Sequence, residues 1–143
     1  MQPLEIAAAE AAIIRQMSIF ITSLDDREFD RMASLMTPTA VWRRAGVDLA
    51  GPAGLLAEMN RRPDNRYSRH TLTNQVVELA ADDAATLRFY SVAWVHVGET
   101  NDQGVAPVSL PSSIGVYTAR FVRRDDTWLI DDLRSVAAFR KAK

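Results

Sequence analysis

The sequence predicts an α+β fold: a curved antiparallel sheet wrapped against about three N-terminal helices, forming a cone with an internal pocket. Two observations carry this. The N-terminal part holds apolar residues at helical spacing, and the rest holds four long runs with strand character, bounded by turn residues. Those runs follow one another without helical patterns between them, so they should pair as antiparallel meanders.

The first helix is expected from about Leu4 to Asp25. Ile13, Met17, Phe20, Ile21 and Leu24 make one apolar stripe at the helical period. At about 100° per residue, Asp25 lies on the flank of that stripe and Asp26 points nearly opposite, so if either acid faces inward it is Asp25. A second, short helix from about Arg27 to Met36 buries Phe29 and Met32, and Pro38 forbids its continuation. Ala40 to Ala45 reads as a strand carrying Trp42, with Val47 to Ala50 continuing it after Gly46. Gly51-Pro52 starts a third helix, with Leu55, Leu56 and Met59 as its apolar side, ending near Pro63-Asp64-Asn65.

Strands are then expected over about His70–Ala80, Ala84–Val97, Ile114–Arg123 and Thr127–Ala138. They are joined by Ala81-Asp82-Asp83, a long Gly98–Pro111 loop and Arg124-Asp125-Asp126. Alternation puts His70, Leu72, Asn74 and Val76 on one face of their strand. In the next strand Leu87, Phe89, Ala93, Val95 and Val97 share one face, and Arg88, Tyr90, Val92, Trp94 and His96 the other. Tyr117, Ala119 and Phe121 lie together on a third strand.

At 143 residues, the chain has the size of one domain, taken as 1–143. A hydrophobic share of 48% and a charged share of 24% are those of a soluble globular protein. The formal net charge of -1 gives no reason to expect nucleic acid or an anionic membrane as partner. No apolar stretch reaches the roughly 18 to 20 residues of a membrane span, and no basic segment precedes the Ala-rich N-terminus, so a cytoplasmic location is expected. Without cysteine there is no disulfide or thiolate chemistry. Two histidines 26 residues apart without a paired motif argue against a metal centre. Gly51-Pro52-Ala53-Gly54 is too short for a phosphate loop and lacks its Lys, and no serine sits in a nucleophile elbow. No cofactor is expected.

Three segments together resemble the nuclear transport factor 2-like superfamily, in particular its SnoaL-like branch. They are Leu24-Asp25-Asp26-Arg27-Glu28-Phe29 after the first helix, Arg69-His70-Thr71-Leu72-Thr73-Asn74, and the hairpin Phe121-Val122-Arg123-Arg124-Asp125-Asp126-Thr127-Trp128. The similarity covers nearly the whole chain. The branch contains polyketide cyclases, scytalone dehydratase and the lindane dehydrochlorinase type. In its dehydratase and dehydrochlorinase members, a His matching His70 removes a proton and an Asp matching Asp25 orients it. The resemblance therefore implies that His70 and Asp25 are the catalytic pair. An imidazole with one nitrogen held by a carboxylate exposes the other as a base. It also implies that His96 can act as a second proton donor across the cavity. The chain departs from scytalone dehydratase where that enzyme has a strand Asn, here Tyr117, and a Tyr before the Asp, here Leu24.

Tyr117 is expected to donate a hydrogen bond to a substrate oxygen, with Asn74 and Trp42 as pocket wall. Arg61, Arg62, Arg66 and Arg69 form a basic cluster read as a solvated helix end and loop. One of each pair Arg43/Arg44 and Arg123/Arg124 should face outward, and its neighbour can enter the pocket and hold an anion. The implied function is a cofactor-independent lyase or isomerase, of the dehydratase type, acting on a small hydrophobic, cyclic or aromatic molecule. The alternatives are an aldol ring closure of the polyketide-cyclase type and a non-catalytic binding or assembly module. The aromatic face of Tyr90, Val92, Trp94 and His96 suggests a homodimer.

Overall fold

The computed structural model describes residues 1–44 and 46–142. Among them are helices α1 (Pro3–Asp25), α2 (Phe29–Ser34) and α3 (Gly51–Asn60). The strands are β1 (Met36–Arg44), β2 (Val47–Ala50), β3 (Arg66–Ala81), β4 (Ala84–Val97), β5 (Ser113–Arg124) and β6 (Thr127–Arg140). One sheet runs in the order β2-β1-β6-β5-β4-β3. The four long C-terminal strands pair antiparallel, as expected from their succession without intervening helices. The sheet is nevertheless mixed, because β1 lies parallel to β6. No hairpin joins those two strands, so no turn dictates their relative direction.

The α1 stripe behaves as its spacing requires: Ile13, Met17, Phe20, Ile21 and Leu24 are all buried. They meet Leu87 and Phe89 of β4, Ala119 and Phe121 of β5, and Ile130 and Leu133 of β6 in one apolar core. Arg27 turns the chain out of α1 in the left-handed region, at φ 60°. The second helix is shorter than Arg27–Met36, because that turn takes its first residues and β1 already starts at Met36.

Pro38 sits inside β1, where the sequence pattern suggests a break. The register against β6 shifts between Met36 and Val41, and pairing with β2 begins only at Val41. The missing N–H of Pro38 therefore falls where neither neighbour asks for a ladder bond. Val47–Ala50 does not continue β1 but returns beside it, with Arg44 opposite Val47 and Gly46 at φ 82°. Ala45, the expected last residue of that strand, lies outside the described residues.

A bulge in β3 matters most for the pocket. Thr73 faces Tyr90 and Val76 faces Arg88, so β3 spends one residue more than β4 over this stretch. Asn74 absorbs the irregularity at φ 54°, a left-handed conformation that Asn tolerates better than most side chains. Such an insertion bends the strand and inverts the facing of the later residues, so Val77 and Leu79, not Val76, pack on the core. Among the described residues no helix is long and apolar enough to cross a membrane.

Candidate active site

The last turn of α1 abuts β3 where His70 stands. His70 Nδ1 lies 2.6 Å from Asp25 Oδ1, and the His70 backbone N–H donates to Asp25 Oδ2 at 2.8 Å. Ser68, two residues earlier on the same strand face, donates its hydroxyl to Asp25 Oδ1 at 2.8 Å. The side chains of His70 and Asp25 are only 10% and 6% exposed, so this cluster is shielded from competing water. Burial alone raises the Asp25 carboxyl. The His70 hydrogen bond and charge, the Ser68 hydroxyl and the His70 amide outweigh it and hold the group below the usual carboxylate range.

An ionised carboxylate can only accept, so Nδ1 is the protonated ring nitrogen. In the neutral ring that leaves the lone pair on Nε2, which has no hydrogen-bond partner among the described residues. His70 lines a cavity of about 220 Å³ between the helices and the sheet. A base of this kind, oriented from one nitrogen and free at the other, can take a proton from a molecule in the cavity.

Trp42 and Tyr117 line that cavity. Trp42 is buried and its indole N–H donates to Ser135 Oγ at 3.2 Å. The Tyr117 ring stacks on Phe89 with centroids 5.0 Å apart. Burial pushes the Tyr117 phenol above its ordinary pKa, against the opposing pull of Arg44, a Ser135 hydrogen bond and Arg62. The phenol is therefore a proton-bearing donor at neutral pH.

The wall carries more charge than a hydrophobic substrate calls for. Arg44, Arg62, Arg66 and Arg140 line it together with Ser91, Ser113 and Ser135. Arg44 enters the pocket while Arg43 faces out and pairs with Asp132 at 3.1 Å, the division expected of neighbouring strand residues. Arg62 and Arg66 contradict the reading of a solvated basic cluster; only Arg61 and Arg69 turn outward, pairing with Glu58 at 3.5 Å and Asp26 at 3.8 Å. Arg62 lies in the turn after α3 and Arg66 opens β3, and both line the cavity.

Two expected site residues lie elsewhere. Asn74 is exposed on the β3 bulge, outside the cavity lining, because the inserted residue inverts the alternation that would set it beside His70. His96 points to the outer face, where its ring stacks against Tyr67 at 6.3 Å and its Nε2 lies 2.9 Å from the Glu99 carbonyl oxygen. Parity explains this: Ser91, Ala93 and Val95 of β4 face the cavity, so His96 faces away. Ser68 escapes a reading that starts the strand at His70. Extending that strand two residues back puts its hydroxyl on the His70 face.

The sequence matches the SnoaL-like domain profile over residues 5–134. Solved structures with the same fold include the hexachlorocyclohexane dehydrochlorinase LinA-type3 from Novosphingobium barchaimii LL02, 23% identical, with a TM-score of 0.81 covering 98% of this chain and 93% of that one. A putative scytalone dehydratase from Novosphingobium aromaticivorans DSM 12444 is 14% identical, with a TM-score of 0.82 over 99% of this chain and 92% of that one. ActVI-ORFA from Streptomyces coelicolor is 17% identical, with a TM-score of 0.76 over 92% of this chain and 98% of that one. No curated protein sequence matches.

Proposed function

Because the chain belongs to the SnoaL-like domain family, we propose that it is a cofactor-independent lyase or isomerase in which His70 is the general base. The observation that carries this reading is the 2.6 Å contact between His70 Nδ1 and Asp25 Oδ1, with Nε2 left to the cavity. Nε2 takes a proton from a carbon next to an activating carbonyl. The C–H electron pair becomes the new π bond, and a leaving group on the adjacent carbon departs with its bonding pair. When that group is hydroxide, the imidazolium returns its proton and water leaves, so charge and protons balance. Asp25 stabilises the imidazolium while it exists, and Tyr117 donates to the oxygen on which negative charge develops.

Dehydration is favoured over transfer chemistry because the dyad supplies a base and a returning acid from one ring. A cavity of about 220 Å³ suits a small substrate, since pockets for drug-sized ligands span roughly 300–1,000 Å³. Self-association through the outer β4 face belongs to the same reading, supported by Trp94, which is 36% exposed beside Tyr90 and Val92; light scattering giving a monomer at micromolar concentration would remove it. The reaction is tested by incubating small β-hydroxy carbonyl compounds with the protein in D2O and following deuterium incorporation and alkene formation by NMR. His70→Ala is expected to lose roughly 10²- to 10⁴-fold in rate while still binding substrate. Full activity in that variant would sink the acid–base mechanism.

A further inference from the structure

Arginine is normally placed where an acid or solvent answers its charge. Arg43, Arg69 and Arg120 follow that pattern, pairing with Asp132, Asp26 and Asp131. Arg44, Arg62 and Arg66 do not. They converge on the cavity from the end of β1, the turn after α3 and the start of β3, and none has a carboxylate within 4.0 Å among the described residues. Arg44 Nη1 and Arg66 Nε are buried without a hydrogen-bond partner among those residues. The Arg44 guanidinium lies over Trp42, 5.1 Å from the ring centre, which holds it at the cavity wall.

The three cations also oppose one another. Burial, then Arg66 and Arg44, push the Arg62 guanidinium down to about 10, with Glu58 pulling it back and Arg27 adding to the depression. Arg66 is lowered by burial, Arg44 and Arg27. Glu58 and Asp64 are the nearby acids, and they pair with Arg61 and Arg27. The chain thus holds three guanidinium groups together in a partly desolvated space, with buried donors unmet. Folding does not favour such an arrangement by itself. A ligand that brings two or three acceptor oxygens answers these donors together, and planar guanidinium groups suit that geometry.

We propose that the cavity takes a small organic anion, whose carboxylate or phosphate oxygens are held by Arg44, Arg62 and Arg66 while its reacting carbon faces His70. This rests on the dyad reading for the second half of the statement only; the anion site stands on the arginines. It also narrows the substrate to a molecule short enough to span both groups within about 220 Å³. The hydrophobic substrate implied by the sequence thereby gains an anionic end, in line with the entry of one of Arg43 and Arg44 into the pocket.

The test uses the full chain, with benzoate as organic anion, benzamide as its neutral counterpart and inorganic phosphate as a free ion, each titrated by calorimetry and thermal shift. Benzoate is expected to bind and raise the melting temperature, more weakly as NaCl rises, and benzamide is not. Arg66→Met and Arg44→Met should each weaken benzoate binding roughly ten- to hundred-fold. Their melting temperatures without ligand should stay level or rise, because a repelling charge has gone. Arg62→Gln gives the same reading should either variant fail to fold. Equal binding of benzamide and benzoate, or unchanged benzoate binding in the arginine variants, would overturn the proposal. Binding of phosphate alone would overturn it in favour of a site for a free inorganic ion. Loss of binding in the arginine variants beside full turnover in His70→Ala sinks the dyad alone. Turnover that needs His70 but ignores Arg44, Arg62 and Arg66 sinks the anion site alone.

Discussion

Asp25 grips His70 twice, taking the ring Nδ1 on one carboxylate oxygen at 2.6 Å and the backbone N–H on the other at 2.8 Å. The ring and the strand that carries it are thereby referenced to the same group at the end of α1. Rotation of the imidazole breaks one bond without helping the other, so the side chain is oriented before any ligand arrives. Preorganisation of this sort favours catalysis because it need not be assembled during the reaction.

Asp25→Asn tests the double grip. An amide offers one acceptor and one donor, so at least one of the three donors aimed at this position is left facing an NH2 group. Stability should fall by about 1–3 kcal/mol in urea titrations at pH 7. Turnover should fall further than the same variant's affinity for a bound ligand, since the amide cannot stabilise an imidazolium. An unchanged rate in Asp25→Asn would remove Asp25 from the mechanism.

The same variant sets a pH dependence. The folded Asp25 carboxyl lies below its ordinary value, so the unfolded chain binds its proton first as pH falls. The stabilisation is complete above the unfolded value of about 4 and is lost as pH drops through the folded one. Burial raises Asp131 as well, but Arg120 and Thr37 outweigh it and leave that carboxyl lowered, so it acts in the same window. Urea midpoints between about pH 6 and pH 3 should therefore decline less steeply in Asp25→Asn than in the wild type, with the Asp131 part retained. Parallel curves for the two proteins would contradict the assignment.

Ser68→Ala separates positioning from chemistry. The hydroxyl donates to Asp25 and is absent from the cavity lining, so its loss should lower stability by about 0.5–1.5 kcal/mol. Turnover should drop modestly, and Ser68→Thr should restore part of it. A rate loss as deep as that of His70→Ala would mean that Ser68 has a direct part in the reaction.

Tyr117→Phe addresses the other end of the titration range. The phenol is raised in the folded state, so its contribution is present below the unfolded value of about 10 and is lost as pH climbs through the folded one. The variant should lose part of the wild type's alkaline destabilisation in thermal melts between about pH 9 and pH 11. It should also turn over more slowly at pH 7, through the lost donor. Identical melts and rates would take Tyr117 out of the site.

Much of the fold is written in local pattern. The helical stripe from Ile13 to Leu24 has to be buried, and its phase alone puts Asp25 inward of Asp26. The alternation in β4 separates Phe89 from Tyr90 and so sends His96 outward, because a strand has only two faces. What the chain does not disclose locally is where alternation breaks and what distant segments share. The β3 bulge arises from pairing with β4, so the inversion after Asn74 exists only once the two strands meet. The parallel pairing of β1 with β6 is likewise a tertiary choice. Arg62 and Arg66 read as ordinary charged residues of a helix end and a loop, and for Arg44 alternation says only that it or Arg43 enters the pocket. Only the closing of the sheet over the helices brings them into one cavity, where burial and mutual repulsion turn three solvated cations into a site that calls for an anion.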